Sequence, residues 1–222
     1  MMSKPAASAK DWSDVVKGAK RELLLRAARD EFAEQGLEGA TMRGIALRAG
    51  CTTGAIYPLF DSKEAIYADL LKQSLAALDD FVAAAVAAAR TPEAQVEAAC
   101  GAFLGYYLDH RFEINLGLYA FRGLKRQGVG KSSDDELNRA LWKVLERIAV
   151  PLTKVRGLKP AEVRPWVALL MSQMIGALVL QIAGRLDLLE AGAETLLRMM
   201  LTQCLPDGAA PKGRKVSRTK KQ

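Results

Sequence analysis

Two short apolar-faced segments on either side of a glycine, within residues 41–60, constrain the fold of this chain more than any other feature. The first segment carries Ile45 and the small Ala46 on its inner face, and the second carries Ile56. Gly50 lies between them and can adopt the positive φ that a sharp turn between helices requires. This pattern predicts a helix-turn-helix, a motif that places its second helix in the major groove of DNA.

Helical periodicity continues on both sides of this motif. Apolar residues recur every four positions from Leu24 to Phe32, and Gly36 is expected to end that helix. Beyond the motif, Asp61 and Glu64 have the spacing of a capping box at the start of a long helix. Because no stretch alternates convincingly with period two, the predicted fold class is all-α, with a three-helix DNA-binding domain and a larger helical domain.

Proline and glycine divide the remainder into further helical segments, predicted near residues 93–109, 112–126, 133–155, 160–186 and 188–204. The predicted domain organisation is a flexible N-terminal arm, a DNA-binding domain, a larger helical domain and a disordered basic tail, at residues 1–16, 17–62, 63–205 and 206–222.

The most apolar stretch runs from Val167 to Gly184 and raises the question of a membrane span. Ser172 and Gln173 interrupt it, and the distance between Arg164 and Arg185 is short for a span. We therefore expect no membrane insertion, but a buried helix that a second subunit partly covers. The residues expected at this dimer interface are Gly176, Ala177, Leu180 and Gly184.

The net charge of +7 is concentrated at the two ends of the chain. Residues 1–63 carry 10 basic and 8 acidic side chains, residues 64–205 carry 16 of each, and residues 206–222 carry 6 and 1. This distribution suits a protein whose ends contact phosphate and whose middle has another role.

Histidine and cysteine usage restricts the possible chemistry. Three widely spaced cysteines in apolar helical contexts indicate buried, reduced thiols and a cytoplasmic location. A single histidine argues against a multi-histidine metal site. No catalytic motif is recognisable, so we expect neither an enzyme nor a bound metal or cofactor.

Four motifs between Arg21 and Leu70 occur together in one known family. They are Ala27-Ala28 with Phe32-Ala-Glu-Gln-Gly36, Thr41-Met-Arg-Gly-Ile-Ala-Leu-Arg-Ala-Gly50, Thr53-Gly-Ala-Ile-Tyr57 and Phe60-Asp-Ser-Lys-Glu64. In these motifs the segment resembles the DNA-binding region of the TetR family of bacterial transcription regulators. The resemblance implies that residues 63–205 form a helical effector-binding and dimerisation domain. It also implies a homodimer joined mainly through the last two long helices. It further implies repression of transcription that ends when a small molecule binds the core.

Base contacts are expected from the start of the second motif helix, at Thr53, Gly54 and Ala55. Thr53 can hydrogen-bond a base edge and Ala55 can touch a thymine methyl group, whereas Gly54 allows close approach to a phosphate. Thr52 and Thr53 are both candidates to cap this helix, and Thr52 also belongs to the DNA-facing set. Arg43 matches a position that reaches bases in some family members. The sequence allows it either a guanine contact or a phosphate contact.

Phosphate contacts are expected from Thr41, Tyr57 and Lys63. The alternatives are that Tyr57 packs in the core and that Lys63 is solvated. The sequence departs from the family pattern at Pro58-Leu59, which replaces an aromatic or basic residue followed by histidine. Since neither residue donates to phosphate and Pro58 shortens the helix, we expect the N-terminal arm or the basic tail to compensate.

The effector pocket is expected to be mostly apolar with a few polar groups. Any single candidate can equally be an ordinary core residue. The candidates are Phe103, Tyr106, Tyr107, His110, Tyr119, Trp142, Met171 and Met174.

The sequence as a whole predicts a dimeric repressor that leaves a palindromic DNA operator when a small, mostly apolar effector binds. Two alternatives stay open: an architectural protein that binds DNA without sequence preference, and a ligand-independent or activating regulator of the same family.

Overall fold

The computed structural model describes residues 9–118, 129 and 131–205. These residues form no strand and eight α-helices, which confirms the predicted all-α fold. The helices are α1 (Ala9–Gly39), α2 (Met42–Arg48), α3 (Lys63–Ala88), α4 (Pro92–Asp109), α5 (Arg111–Gly117), α6 (Lys131–Arg156), α7 (Pro160–Ile182) and α8 (Ala193–Cys204). Tyr119 and the basic tail lie outside the described residues.

Helix α1 begins at Ala9, eight residues before the helix start expected at Lys17. Residues 9–16 are therefore helical where the sequence suggested a loose arm. Gly36 interrupts the helix with a φ of 66°, as its predicted role as a helix terminator requires. Leu37 directly after it is buried and anchors the chain beyond the kink.

Helix α3 is capped by Ser62 and not by Asp61. The Ser62 hydroxyl accepts a hydrogen bond of 3.1 Å from the backbone N–H of Ala65, and the helix begins at Lys63. The capping box expected from Asp61 and Glu64 is therefore wrong by one residue, because either polar side chain can cap and the local sequence does not choose between them.

Helix α7 ends at Ile182, four residues before the predicted end. Gly184 has a φ of 66°, and the N–H of Arg185 donates to the Leu180 carbonyl at 2.8 Å. The N–H of Gly184 donates to the Gln181 carbonyl at 3.1 Å, which completes a Schellman motif. Gly184 therefore terminates the helix, and its heptad spacing from Ala177 does not extend a helical packing face.

The chain divides into two compact units whose boundaries differ from the predicted division at residue 62. The N-terminal unit comprises residues 1–76 and 112–141, and the C-terminal unit comprises residues 77–111 and 142–222. Helix α5 thus belongs to the N-terminal unit although it follows α4 in sequence.

The core of the N-terminal unit contains the apolar residues that the sequence pattern selected. Ile45 and Ile56 are fully buried, and Phe32 meets Tyr67 edge to face with ring centroids 5.3 Å apart. Burial of such side chains is worth about 1.5–3 kcal/mol each. Other buried members are Leu24, Leu25, Ala28, Ala46, Phe60, Ile66, Leu70 and Leu116.

In the C-terminal unit α4, α7 and α8 pack on one another, and the unit also contains α3 from Ala77 and α6 from Trp142. Within the described residues, α7 is the one helix that is long and apolar enough to cross a membrane. Its length and composition are the only features that suggest a membrane span. Cys100 and Cys204 are buried here, and burial raises the pKa of Cys100 to about 12. Cys51, in the other unit, is only half-buried.

A buried ion pair joins α3 to α6 within the C-terminal unit. Asp79 is 3% exposed and accepts hydrogen bonds from Arg147 at 2.9 and 3.2 Å, while Lys143 lies 2.9 Å from the same carboxylate. The hydrogen bonds from Arg147, with a smaller contribution from Lys143, hold the pKa of Asp79 below its ordinary value.

Asp79→Asn should lower the free energy of unfolding by about 1–3 kcal/mol at pH 7, because charge-assisted hydrogen bonds at a buried site are lost. Since the folded-state pKa is depressed, the carboxylate contributes stability above its unfolded pKa of about 4. That contribution disappears as the pH falls below this value through the folded pKa. Urea unfolding at pH 7 and pH 3 should show that the difference in unfolding free energy between wild type and variant becomes smaller in acid.

The exposed neighbour Asp80 provides a control, since Asp80→Asn should change the free energy of unfolding by less than about 0.5 kcal/mol. Equal effects at both positions would contradict the role given to Asp79.

Candidate DNA interface and effector region

Helix α2 is held at both ends by local hydrogen bonds. The Thr41 hydroxyl accepts from the N–H of Gly44 at 2.9 Å and so caps the first turn. At the other end Gly50 has a φ of 66°, and the N–H of Cys51 donates to the Ala46 carbonyl at 3.0 Å. Gly50 thus performs the turn predicted for it. The Thr41 hydroxyl keeps its own hydrogen available as a donor.

The second motif helix is reduced to one 3₁₀ turn, Thr53–Ala55, followed by further turns as far as Leu59. We call Thr53–Leu59 the recognition segment. Pro58 has no N–H to extend a helix, which accounts for this brevity. The N–H of Phe60 still donates to the Ile56 carbonyl at 3.0 Å, so the segment remains compact. Thr52 precedes the turn without capping it through its side chain, contrary to the prediction for its hydroxyl.

Most of the side chains predicted to face DNA are exposed on the N-terminal unit. Tyr57 is 54% exposed, so it does not pack in the core. Arg43 is exposed and forms no ion pair with any described residue. A side chain at Gly54 would meet only Thr52 Oγ1, 3.8 Å away, so the fold itself does not demand glycine there. Thr41, Thr52 and Ala55 are also exposed, and Thr53 is half-buried.

Lys63 has a structural role that the sequence did not reveal. Its ammonium donates to the carbonyls of Glu38 and Ala40 at 3.0 and 2.9 Å. These carbonyls lie at the C-terminal end of α1, where backbone acceptors lack helical partners. Lys63 therefore ties α3 to α1 and has part of its hydrogen-bonding capacity occupied within the protein.

Arg48 connects α2 to α1 through two carboxylates. Its Nε donates to Glu31 at 2.7 Å, and its terminal nitrogens donate to Glu34. These hydrogen bonds, that to Glu34 foremost, raise the pKa of Arg48 above its ordinary value. Glu31 is only 7% exposed, so this bridge is partly removed from solvent.

Gly44 is the residue that sequence reasoning missed in this bridge. A methyl group at Gly44 would overlap Oε1 of Glu31, so this carboxylate must shift before any side chain fits there. A glycine inside a short helix, where it costs helix stability, is a signal of such close approach.

Two tertiary contacts place α5 on the N-terminal unit. The Tyr67 hydroxyl donates to the Leu116 carbonyl at 2.6 Å, and Arg29 pairs with Glu113 at 2.5 Å. Arg29 also stacks on the ring of Phe112, 4.6 Å from its centroid. Helix α5 is thereby attached to α1 and α3, the two helices that flank the motif.

The predicted effector residues on α4 form one aromatic cluster in the C-terminal unit. Phe103 and Tyr107 meet edge to face at 5.1 Å, and Tyr106 stacks on His110 at 4.2 Å. The three residues on α4 are buried, whereas His110 is exposed and its Nδ1 lies 2.7 Å from the Tyr106 carbonyl. His110 therefore closes the end of α4.

The remaining predicted effector residues have separate surroundings. Trp142 lies under the guanidinium of Arg164, 4.4 Å from the ring centroid, and Met171 is half-buried. Met174 is buried and lines a groove of about 350 Å³ between α4, α7 and α8. Sequence reasoning also missed Glu97 on α4, whose pKa is raised by burial.

The predicted dimer residues Gly176, Ala177 and Leu180 on α7 line the groove of about 350 Å³ together, and they differ in exposure. Gly176 is exposed and Leu180 is 40% exposed, whereas Ala177 is buried within its own unit. The exposed face continues with Leu169 and Met199, at 42% and 57% exposure. It forms an apolar surface across α7 and α8.

The motif geometry agrees with a comparison to known families. Residues 24–70 match the family model described as bacterial regulatory proteins, tetR family. The matched residues span α1 from Leu24, the helix-turn-helix and the first turns of α3. This segment is a TetR-family DNA-binding domain.

Two curated relatives each match between a quarter and a third of the chain. The chain is 43% identical over 56 residues to the HTH-type transcriptional repressor KstR2 of Rhodococcus jostii, covering 25% of this chain and 28% of the relative. It is 38% identical over 64 residues to the HTH-type transcriptional repressor AcnR of Corynebacterium diphtheriae, covering 29% and 34%. The chain thus spans about a third or less of the length of these relatives.

Solved structures extend the likeness in fold to nearly the whole chain. The transcriptional regulator FadR from Bacillus subtilis, crystallised with stearoyl-CoA, has a TM-score of 0.66 at 15% identity, covering 83% of this chain and 97% of that one. The fatty acid degradation regulator FadR from Bacillus halodurans has a TM-score of 0.64 at 16% identity, covering 86% and 97%. At these identities the comparison concerns the fold alone.

Gly44→Ala should lower the free energy of unfolding by about 1–3 kcal/mol, because the new methyl group displaces Glu31 and breaks its hydrogen bond to Arg48. Gly18→Ala is a matched control, since nothing lies within 4 Å of the added carbon in the interior of α1. It should raise stability by up to about 1 kcal/mol. Chemical denaturation of both variants tests the pair, and stabilisation by both substitutions would show that Glu31 moves aside at no cost.

Proposed function

We propose that this protein is a dimeric transcriptional repressor that binds a palindromic operator and releases it when a small effector binds the C-terminal unit. One observation carries the proposal. In the TetR-type domain, Arg48 and Lys63 are bonded to carboxylates and carbonyls of the protein itself. The side chains of Arg43, Ala55 and Tyr57 are exposed instead. Exposed donors around a helix-turn-helix are what base and phosphate contacts require.

Dimerisation is supported by the apolar surface across α7 and α8. Leu180 and Met199 are exposed and line one groove with Gly176, whose missing side chain permits close helix approach. Leu169 is exposed two turns before Gly176 on α7. Contiguous apolar patches of this kind mark interaction sites. A two-fold dimer presents two recognition segments and so reads two half-sites, which makes the operator a palindrome.

Effector release is supported by the attachment of α5. This helix follows the aromatic cluster of α4 directly in sequence and is bonded to Tyr67 and Arg29 in the DNA-binding domain. An effector that shifts the end of α4 would act on these contacts. Coupling of about 1–3 kcal/mol would weaken operator binding roughly 5- to 150-fold.

The effector is expected to be mostly apolar. Phe103, Tyr106 and Tyr107 supply buried aromatic surface, and Glu97 supplies a half-buried carboxyl group. The structure of the Bacillus subtilis regulator with stearoyl-CoA gives an example of an acyl ligand on this fold. A regulator of this kind acts in the cytoplasm and is not an enzyme; the relatives of its DNA-binding domain are transcriptional repressors.

The proposal is tested by selection of genomic fragments with the purified full chain at physiological salt, followed by sequencing. A palindromic motif is expected among the enriched fragments. Salt-sensitive binding with no shared motif would favour the architectural alternative. An activating or ligand-independent regulator would enrich a palindrome as well, and a transcription assay with and without an effector separates those cases.

Arg43→Gln should lower affinity for the selected operator about 5- to 150-fold relative to a scrambled fragment, if Arg43 pairs with guanine. Arg26→Gln removes the same charge from an exposed position on α1 and serves as the control. Titrations against both fragments compare the two variants. Equal losses on operator and scrambled DNA, with a smaller salt dependence, would assign Arg43 to a phosphate.

Gly176→Glu should convert the dimer toward monomer, because a carboxylate enters the apolar surface of α7 and α8. A Cβ added at Gly176 meets no atom of its own protomer within 4 Å, so the fold should be retained. Gly18→Glu makes the same change at another open position and should leave the dimer intact. Sedimentation equilibrium measures both, and an unchanged dimer in Gly176→Glu would move the interface elsewhere.

A further inference from the structure

A groove of about 790 Å³ lies on the N-terminal unit between the first turns of α1 and the recognition segment. We call it the α1 groove. One wall carries Trp12, Lys17 and Lys20 from α1, and the other carries Ala55 and Pro58. It exists because α1 begins at Ala9, well before the region that matches the TetR family model.

The chemistry of the α1 groove selects an anion with apolar parts. Lys17 and Lys20 are exposed, and neither forms an ion pair with any described residue. The residues that line the groove include no carboxylate. The remaining lining is mostly apolar, and Trp12 and Leu23 are 70% and 47% exposed.

The position of the α1 groove relates it to DNA. Ala55 lies in the turn that is expected to face bases, and it also lines the groove. A strand of DNA that borders the bases read by the recognition segment therefore passes the mouth of the groove. The sugar–phosphate strand combines negative charge with apolar sugar carbons, and this combination matches the two kinds of lining.

The α1 groove also supplies phosphate-binding groups beside Pro58 and Leu59, where the sequence lacks them. Both residues line it, and neither side chain donates a hydrogen bond to phosphate. Lys17 and Lys20 stand across the groove on one face of α1, three residues apart, so their Cβ atoms are about 5–6 Å apart. Their flexible ammonium groups can reach neighbouring phosphates of one strand.

We propose that the α1 groove holds one sugar–phosphate strand of the operator beside the bases read by the recognition segment. The ammonium groups of Lys17 and Lys20 bind successive phosphates, and Trp12 packs on the sugars. This inference rests on the proposed function, and it adds a second DNA-contacting surface formed by the N-terminal turns of α1.

The test compares two double variants of the full chain. Lys17→Gln with Lys20→Gln removes both groove charges, and Arg26→Gln with Lys154→Gln removes two charges from other exposed positions. Affinity for the selected operator and for a scrambled fragment is measured from 50 to 300 mM salt. Removal of two phosphate contacts should lower the slope of log K against log salt by about 1.8 and weaken binding to both fragments on the order of tenfold. The control should keep the wild-type slope.

Hydroxyl-radical footprinting locates the contact on DNA. Wild-type protein should protect a backbone segment at the edge of each half-site, and the groove variant should lose protection only there. Trp12→Ser should weaken binding to both fragments without changing the salt slope, because it removes an uncharged contact.

The outcomes separate this inference from the proposed function. An unchanged slope and footprint, with an operator still selected, would overturn the groove assignment alone. A lowered slope without any selected motif would support the groove while overturning operator recognition. Absence of DNA binding by wild type would overturn both. Two further results for the groove variant would also overturn the proposal. A wild-type salt slope with altered sedimentation would assign the groove to a second copy of the chain. A wild-type salt slope with loss of decanoate binding would assign it to a small amphipathic anion.

Discussion

The attachment of α2 to α1 is the interaction on which the DNA-binding domain depends. A helix of seven residues is too short to be stable alone in water, so packing must hold it. Burial of Ile45 supplies the apolar part, and Arg48 joins the helix to Glu31 and Glu34. Glycine at position 44 makes room for that carboxylate. The orientation of Arg43 and of the recognition segment follows from this attachment.

The same domain separates its basic residues into two groups. Arg48 and Lys63 are engaged by carboxylates and carbonyls of the protein, whereas Arg43, Lys17 and Lys20 project from the surface. Spacing in the sequence does not distinguish the two groups, because each side chain is long enough to reach either solvent or a neighbouring helix. The proposed DNA contacts are assigned to the second group for this reason. A recognition segment reduced to a 3₁₀ turn makes additional contacts to the DNA backbone more important.

The sequence predicted the helical segments well where apolar periodicity and glycine act locally. Ile45, Ala46 and Ile56 are buried as expected, and Gly50 has the positive φ that its position required. Predictions were weaker at helix ends, where neighbouring polar residues compete as caps: Ser62 replaced Asp61, and Gly184 ended α7 early. In the C-terminal unit the aromatic candidates of α4 came together, while Trp142 contacts Arg164. Which of these residues contact an effector remains a prediction, since an aromatic residue looks the same in sequence whether it lines a pocket or fills a core.

The sequence by itself determined the all-α class, the place of the helix-turn-helix and the core that supports it, because helical period and glycine geometry are local properties. Only the tertiary structure decided how each polar side chain is used. The engagement of Lys63 by the end of α1, the Glu31–Arg48 bridge and the opening of a groove between α1 and the recognition segment all join residues far apart in the chain. Their partners are selected by the packing of helices, which no local pattern encodes.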